Sequence, residues 1–299
     1  MRTETSLIPT DTSSDFAVNG RIIRVNSRTI QPDLIGPLTY DPIVIFPGWG
    51  NNANSRSAQM LGHAFAEEGK RKVIIIDTKP HEIFDNSLLT ESAAVAQFLE
   101  RAKTESTTIV GYSEGGIKAA NLAVILQKSK IKPEGLALLG AAGLYESEQV
   151  DPMLAFARHG IQSKKRVNRT FMRPLGQSGQ GIIAGQVLEL KRTKFNYPRR
   201  LAYQVREISR RNPRLKEINI PIVVINGAED LVSEPERFIP GFRRLNQYER
   251  EEALKRTIFQ NSPYVRFLAG EKPPIHTMPI LRARTIARVS LGLLERTKR

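Results

Sequence analysis

The sequence contains no cysteine, and it has only four histidines in 299 residues. The absence of cysteine excludes disulfide bonds, thiolate catalysis and cysteine-ligated zinc or iron–sulfur centres, and it is compatible with a reducing cytoplasm. Aromatic residues make up only 7% of the chain, but the hydrophobic fraction of 40% excludes wholesale disorder. The composition therefore indicates a globular protein without metal–thiolate chemistry.

Several sequence signals of membrane insertion and cofactor binding are also missing. No window reaches the roughly 18 consecutive apolar residues of a membrane span. The first residues lack the apolar core and cleavage site of a signal peptide. Because the chain also lacks a phosphate-cradling loop, a dinucleotide fingerprint and a cluster of metal ligands, we expect no cofactor and no metal. A cytoplasmic location is expected, with peripheral attachment to a membrane as a further option.

Acidic residues are almost absent from one segment of the chain. The net charge is +15, from 45 Lys and Arg against 30 Asp and Glu. Residues 157–216 contain 16 Lys and Arg but only two acids, Glu189 and Glu207, which gives +14 for this segment and +1 for the rest of the chain. A nearly neutral protein therefore carries one very basic segment.

Outside that segment, short apolar runs alternate with helical patterns. Residues 1–15 have no periodicity and are predicted to be a loose tail, and Asn19-Gly20 between two β-rich runs predicts a hairpin. Apolar runs typical of buried strands follow at residues 42–46, 73–76, 107–110, 136–139, 221–225 and 264–268. Helical patterns lie between the first four of these runs. This alternation predicts an α/β fold with a mostly parallel central sheet and helices on both faces.

The basic segment interrupts this alternation. Strand patterns stop at about Glu146 and resume after Lys216, and the residues between have helical pieces but no clear buried strand. We therefore predict a core formed by residues 16–145 and 217–299, interrupted by a basic, mainly helical insert at 146–216.

A nucleophile motif follows the run at residues 107–110. Residues 111–116 read Gly-Tyr-Ser-Glu-Gly-Gly, which matches Gly-x-Ser-x-Gly at the junction of a predicted strand and a predicted helix. Such a turn needs glycines because larger side chains would collide with neighbouring backbone. It would lift the hydroxyl of Ser113 off the edge of the sheet as a nucleophile.

This motif and its context resemble the α/β-hydrolase family, over roughly residues 16–145 and 217–299. The family order of nucleophile, acid and histidine implies Asp230, in a Gly-x-x-Asp-x-Val turn after a late strand, and His276, before the final helix. His276 would accept the proton of Ser113, and Asp230 would orient the imidazole. Glu146, after the fourth strand of the core, is an alternative position for the acid.

The resemblance also implies an oxyanion hole formed by the backbone N–H groups of Glu114 and Trp49. This sequence has Pro47-Gly48 where the family often has His-Gly, which removes an orienting side chain but not the donor that follows. The ring of Trp49, the sole tryptophan, is expected to line the acyl pocket. Surface or packing roles are expected for His63, His81 and His159.

In this family an insert at this position forms a cap that sets substrate choice. Arg199 and Arg200 are therefore candidates for binding an anionic substrate or membrane surface, because the guanidinium group binds phosphate bidentately. A solvated helical face is the simpler interpretation of the same charge, and nucleic acid is a less favoured partner.

The expected function is thus a serine hydrolase that cleaves a carboxylic ester through an acyl-enzyme, as an esterase or lipase, with a lipase- or lysophospholipase-like activity on an acyl lipid as the leading form. An acyltransferase or thioesterase with the same triad is the first alternative. The second, from another class, is a non-catalytic or anionic-ligand-binding protein with the same fold.

Overall fold

The computed structural model describes residues 11–32, 39–48, 51–81, 87–144, 212–227, 235–237, 239–270, 280 and 282–297. Within them, one sheet of eight strands is covered by helices on both faces. The strands are β1 (Asp11–Val18), β2 (Arg21–Ile30), β3 (Thr39–Phe46), β4 (Arg71–Pro80), β5 (Ser106–Tyr112), β6 (Lys132–Leu139), β7 (Ile222–Gly227) and β8 (Val265–Gly270). The helices are α1 (Arg56–Gly69), α2 (Ser87–Arg101), α3 (Gly115–Leu126), α4 (Gln247–Thr257) and α5 (Ala283–Arg296).

The strand order is β1-β2-β4-β3-β5-β6-β7-β8. Strands β3 to β8 are parallel to one another, and the hairpin of β1 and β2 adds two strands at one side, with β2 antiparallel to β4. All six parallel strands end at the same edge of the sheet, here named the carboxyl edge, and begin at the opposite, amino edge. The predicted α/β class with a mostly parallel sheet is confirmed.

The apolar runs of the central strands are continuous because both of their faces are buried. In β3, Ile43 and Ile45 face the layer formed by α1 and α5, whereas Val44 and Phe46 face α2 and α3. All four side chains are at most 1% exposed. A strand covered on both faces needs no polar alternation, which is why its pattern is uniformly apolar.

The predicted hairpin at Asn19-Gly20 is confirmed, with positive φ angles of 50° and 73°. Strand β1, however, begins at Asp11, five residues earlier than its apolar pattern indicates and inside the predicted tail. The early part is a polar edge strand in which Ser13 donates a hydrogen bond to Asn26 and Asp15 pairs with Arg24. Cross-strand polar pairs stabilise it without apolar periodicity. Residues 1–10 of that tail lie outside the described residues.

A core residue just before the predicted insert contacts the last residues of that insert. The backbone N–H of Asn212 donates to the carbonyl of Gly143 at 2.8 Å, and its side chain donates to Asn121 of α3 at 2.9 Å. Leu215, which the sequence pattern placed in the insert, is buried in the core at 2% exposure. The chain thus leaves and re-enters the core at one point. Residues 145–211, and with them the predicted helical cap, lie outside the described residues.

Two further elements differ from the sequence pattern. Helix α4 has no clear apolar periodicity and was not predicted, and α5 begins at Ala283 rather than at about residue 279. In the part of the chain that the structure describes, no helix combines the length and apolar character needed to cross a bilayer.

Candidate active site

Ser113 lies in the turn that connects β5 to α3, at the carboxyl edge of the sheet. Its φ angle is 54°, in the left-handed region, although it is not a glycine. A non-glycine residue in this region costs about 1–2 kcal/mol, and such strained residues cluster at functional sites. The backbone therefore has the strained conformation that the Gly-x-Ser-x-Gly motif predicts for a nucleophile.

Three backbone hydrogen bonds hold this strained turn. The N–H of Ser113 donates to the carbonyl of Leu139 at 3.1 Å, at the end of β6. The carbonyl of Ser113 accepts hydrogen bonds of 2.9 Å from the N–H groups of Gly116 and Ala142. Because both its donor and its acceptor are bound to neighbouring segments, Ser113 is fixed against the adjacent strand and the first turn of α3.

Glycines make this arrangement possible. A Cβ on Gly111 would lie 2.6 Å from the carbonyl oxygen of Gly115, and a Cβ on Gly116 would overlap the methyl group of Ala141. A Cβ on Gly115 would press on the carbonyl oxygens of Phe46 and Pro47 at the end of β3. The start of α3 can thus approach β3 and β6 only because these positions lack side chains, as the sequence predicted.

The loop after β3 contacts the nucleophile directly. A Cβ on Gly48 would lie 2.9 Å from Cβ of Ser113 and 2.9 Å from Cδ1 of Tyr112, so the backbone of Gly48 packs against both. The carbonyl of Gly48 accepts a hydrogen bond of 3.0 Å from the N–H of Asn51. Trp49, the predicted oxyanion donor, is the next residue in the chain and lies outside the described residues.

Glu114 precedes the first residue of α3 and is only 4% exposed, and Ser113 is only 3% exposed. Glu114 has helical backbone angles, and its carbonyl accepts a hydrogen bond of 3.0 Å from the N–H of Ile117. Its N–H therefore belongs to a fixed peptide at the N-terminus of a helix, where the partial positive charge favours anions. Its role as an oxyanion donor stays a prediction.

A buried ion pair, which the sequence analysis did not identify, lies next to this turn. Nζ of Lys118, in the first turn of α3, is 2.6 Å from Oε2 of Glu91 on α2 and donates to Oγ1 of Thr78 at 2.9 Å. Burial alone would lower the pKa of Lys118, but attraction to the carboxylates of Glu91 and Glu114 outweighs it and raises the pKa. Lys118 is therefore positively charged at neutral pH.

The remaining predicted catalytic residues lie outside the described residues. Asp230 follows β7 in the chain, and His276 follows β8; the last residues of these neighbouring strands, Gly227 and Gly270, pair at the carboxyl edge. Glu146, Arg199, Arg200 and His159 also lie outside. Their predicted roles stay predictions.

The two described histidines lie on the surface. His63 is exposed on α1, and His81 is exposed near the end of β4, with Nε2 3.5 Å from Oδ1 of Asp15. These positions agree with the surface roles expected of them.

An open groove of about 550 Å³ lies between α1 and α5. Met60 and Ile280 contribute to its apolar lining, and Arg56, His63 and Arg282 contribute basic groups. Glu67 contributes an acidic group, and both helices begin at the carboxyl edge.

Neither the comparison with protein-family models nor the search of curated proteins found a match to this sequence. Solved structures do match. A probable hydrolytic enzyme from Pseudomonas aeruginosa PAO1 superimposes with a TM-score of 0.62 at 15% identity, over 95% of this chain and 93% of that one.

Two other solved structures also superimpose on this chain. An α/β-hydrolase fold protein from Chitinophaga pinensis matches with a TM-score of 0.60 at 14% identity, over 95% of this chain and 98% of its own. A bacterial membrane phospholipase A matches with a TM-score of 0.58 at 15% identity, over 97% and 87% of the two chains. The chain therefore has the α/β-hydrolase fold that its motifs predicted.

Proposed function

We propose that this protein is a serine hydrolase that cleaves a carboxylic ester through an acyl-enzyme formed on Ser113. The observation that carries the proposal is the geometry of this residue: a φ angle of 54° in a serine that is held by three backbone hydrogen bonds and packed against the backbone of Gly48. A serine with only a structural role would not require this strain, because a glycine would adopt the conformation at lower cost.

In the proposed reaction, Oγ of Ser113 attacks the ester carbonyl carbon while His276 accepts the hydroxyl proton. The N–H groups of Glu114 and Trp49 stabilise the negative charge on the carbonyl oxygen. When the intermediate collapses, the alcohol leaves with the proton from His276. A water molecule, deprotonated by His276, then releases the acid and restores Ser113, and Asp230 keeps the imidazole oriented throughout.

An acyl lipid is the substrate class we favour, with a lipase- or lysophospholipase-like reaction as the leading form. The net charge of +14 on residues 157–216 and the basic side chains of the groove suit an anionic lipid or membrane surface. One structure with the same fold is a membrane phospholipase A. The protein would act in the cytoplasm or at the periphery of a membrane.

The direct test is labelling with a fluorophosphonate, which reacts with an activated serine. We expect stoichiometric modification of the peptide that contains Ser113, and none in the folded Ser113→Ala variant. His276→Ala should react at least about 100-fold more slowly, because general-base assistance contributes about 10²–10⁴-fold. Unlabelled wild-type protein with a native thermal transition would contradict the proposal and support a binding protein with this fold.

The same enzyme preparation separates hydrolysis from acyl transfer. An aryl ester series of increasing chain length, with and without an added alcohol or thiol, gives the partition of the acyl group between water and the acceptor. Release of free acid as the main product supports a hydrolase, whereas preferential capture of the acyl group by the alcohol supports an acyltransferase. A thioester substrate preferred over its oxygen ester would support a thioesterase.

The proposed role of the insert gives a charge prediction. Replacing both Arg199 and Arg200 by alanine should raise KM for an acyl ester in anionic vesicles by about 30-fold, because each basic residue near an anionic surface contributes about 1 kcal/mol, or about 2 kcal/mol for the pair. Turnover of a short neutral ester should be unchanged. A matched control removes the same charge near the amino edge, with alanine at the exposed Arg101 and Lys130. Equal effects of the two double variants would contradict specific attachment through the insert.

A further inference from the structure

A series of direct contacts, here named the Ser57 tether, joins the start of α1 to the nucleophile. The hydroxyl of Ser57, the second residue of α1, donates to Oδ1 of Asn51 at 2.7 Å. The backbone N–H of Asn51 donates to the carbonyl of Gly48 at 3.0 Å. Gly48 in turn packs against Cβ of Ser113. Three successive contacts therefore connect α1 with the nucleophile through the loop that follows β3.

The hydroxyl groups at the start of α1 bind this loop instead of capping the helix. Ser55 occupies the N-cap position, but its side chain makes no capping hydrogen bond and donates to the carbonyl of Asn52 at 2.9 Å. Ser57 is only 4% exposed, and its hydroxyl also donates back into the loop. A serine at the N-cap usually stabilises its helix through a bond to a backbone N–H. Because that bond is not made here, the two hydroxyl groups restrain the loop at the expense of the helix.

The loop contains glycine where an exact position matters most. Gly48 and Gly50 flank Trp49, the proposed oxyanion donor, and glycine has more backbone freedom than any other residue. An oxyanion donor must lie about 2.7–3.1 Å from the charged oxygen, and a displacement of about 1 Å costs up to about 100-fold in rate. The position of this backbone must therefore be set by residues other than the glycines.

Asn51 is the residue that transmits such a restraint to Gly48. Its side chain is bound to α1 and its backbone N–H is bound to Gly48, so a shift of Asn51 would lengthen at least one of the two hydrogen bonds. Ala53, two residues further on, is 4% exposed and belongs to the core that α1 and α5 form on the sheet. The loop is thus anchored to the core and to α1 on one side, and it contacts Ser113 on the other.

We propose that Ser57 and Asn51 are positioning residues for the oxyanion hole: they fix the backbone of Gly48 against Ser113 and thereby hold the donor that follows. This inference rests on the proposed function, because it assigns a role in the hydrolysis at Ser113. Both side chains would act through Gly48, and neither would contact the substrate.

The same loop offers a matched control. Asn54 is exposed, and its Oδ1 accepts a hydrogen bond of 2.9 Å from Arg28 on β2. This bond ties the loop to β2 and not to Gly48. Asn54→Ala therefore removes one side-chain hydrogen bond from the same segment, as Asn51→Ala does, but leaves the Ser57 tether intact.

The experiment compares Ser57→Ala, Asn51→Ala and their double variant with Asn54→Ala and wild type, on a short neutral aryl ester. Ser57→Ala and Asn51→Ala should each lower kcat by about tenfold with little change in KM, which is less than the loss of about 100- to 1,000-fold for a missing oxyanion donor. Asn54→Ala should keep the kcat of wild type. The melting temperature of Ser57→Ala should change little, because alanine favours the helix and water can bind the half-buried side chain of Asn51.

A tetrahedral inhibitor separates positioning from a loss of stability. A trifluoromethyl ketone with the same acyl chain forms an adduct with the serine, and the negative oxygen of this adduct occupies the oxyanion hole. Its inhibition constant should rise about tenfold in Ser57→Ala and in Asn51→Ala, in parallel with the fall in kcat/KM. Partial unfolding would lower the amount of active enzyme but leave this constant unchanged. An unchanged inhibition constant would therefore overturn the inference.

The double variant tests whether the two residues act along one route. Each single change breaks the same connection to Gly48, so the double variant should be at most about twofold slower than either single variant. A double variant about 100-fold slower than wild type would show independent roles and overturn the inference. A much larger loss in Asn51→Ala than in Ser57→Ala would mean that Asn51 itself binds the reacting oxygen, which would also overturn it.

Failure of this inference can be told apart from failure of the proposed function. If wild type is labelled by a fluorophosphonate at Ser113 but Ser57→Ala keeps full kcat, only the inference is overturned. A loss of kcat in Asn54→Ala as large as in Ser57→Ala would show a general sensitivity of the loop, with the same consequence. A folded wild type that neither reacts with the fluorophosphonate nor hydrolyses esters would overturn the proposed function first.

Discussion

Replacement of Ser113 by alanine or by glycine is expected to abolish ester hydrolysis, with a loss of kcat of about 10⁵-fold. Both changes remove the hydroxyl group that forms the acyl-enzyme, and neither enlarges a side chain in the turn. The two variants should therefore be equally inactive, which is measured with a short aryl ester at saturating concentration.

The same two variants should differ in stability. The φ angle of 54° costs a residue with a Cβ about 1–2 kcal/mol, and glycine avoids this cost but loses about 0.4–1 kcal/mol through the greater entropy of the unfolded chain. The free energy of unfolding of Ser113→Gly, measured by urea denaturation, should thus be about 0.5–1 kcal/mol higher than that of Ser113→Ala.

A control for this effect lies far from the site. Lys70, which follows the last residue of α1, is exposed and has a φ angle of 51°. Lys70→Gly should therefore be more stable than Lys70→Ala for the same reason, and both variants should keep full activity. If glycine stabilises position 70 but not position 113, the positive φ angle of Ser113 does not strain the backbone as the geometry indicates. Substantial hydrolysis by Ser113→Ala would remove Ser113 as the nucleophile.

The second large effect is expected for Gly115→Ala. The added methyl group would contact the carbonyl oxygen of Phe46 and lie 2.6 Å from that of Pro47, both of which are backbone atoms that cannot rotate away. Either the end of β3 or the start of α3 must shift. We expect the free energy of unfolding to fall by about 2–4 kcal/mol and kcat to fall by about 100-fold or more.

The loss of activity should exceed what the loss of stability explains, because the displaced segment carries Gly48, which packs against Ser113. Gly292→Ala is the control: this glycine lies in α5, and no atom lies within 4 Å of the point that an alanine methyl group would occupy. Alanine there should stabilise the helix by about 1 kcal/mol and leave activity unchanged. A fully active Gly115→Ala would contradict the tight contact between β3 and α3.

Local patterns made most of the strands and helices predictable. Runs such as residues 73–76 are apolar without alternation because both faces of a central strand are covered, and Asn19-Gly20 has the backbone angles that its residue types favour. Helix α4 shows where pattern alone failed. It buries little apolar surface, yet Asn246 and Glu249 form a capping box at its start, which is a signal that the sequence did contain.

Other features could not be read from local patterns because they depend on residues far apart in the chain. The polar strand from Asp11 is held by cross-strand pairs, and the strand order places β4 between β2 and β3. Likewise, Asn212 rejoins the core beside Gly143, although 68 residues separate them in the sequence.

The sequence by itself determined the α/β class, the concentration of positive charge in residues 157–216 and the strained turn at Ser113. Each of these depends on residue types within a short window: apolar runs, charge counts, and glycines that permit a tight turn. Only the tertiary structure decided that Gly48 packs against Ser113 and that Lys118 pairs with Glu91. Those contacts join separate strands and helices, so they arise from the packing of the whole sheet and from the burial of charges that no local motif specifies.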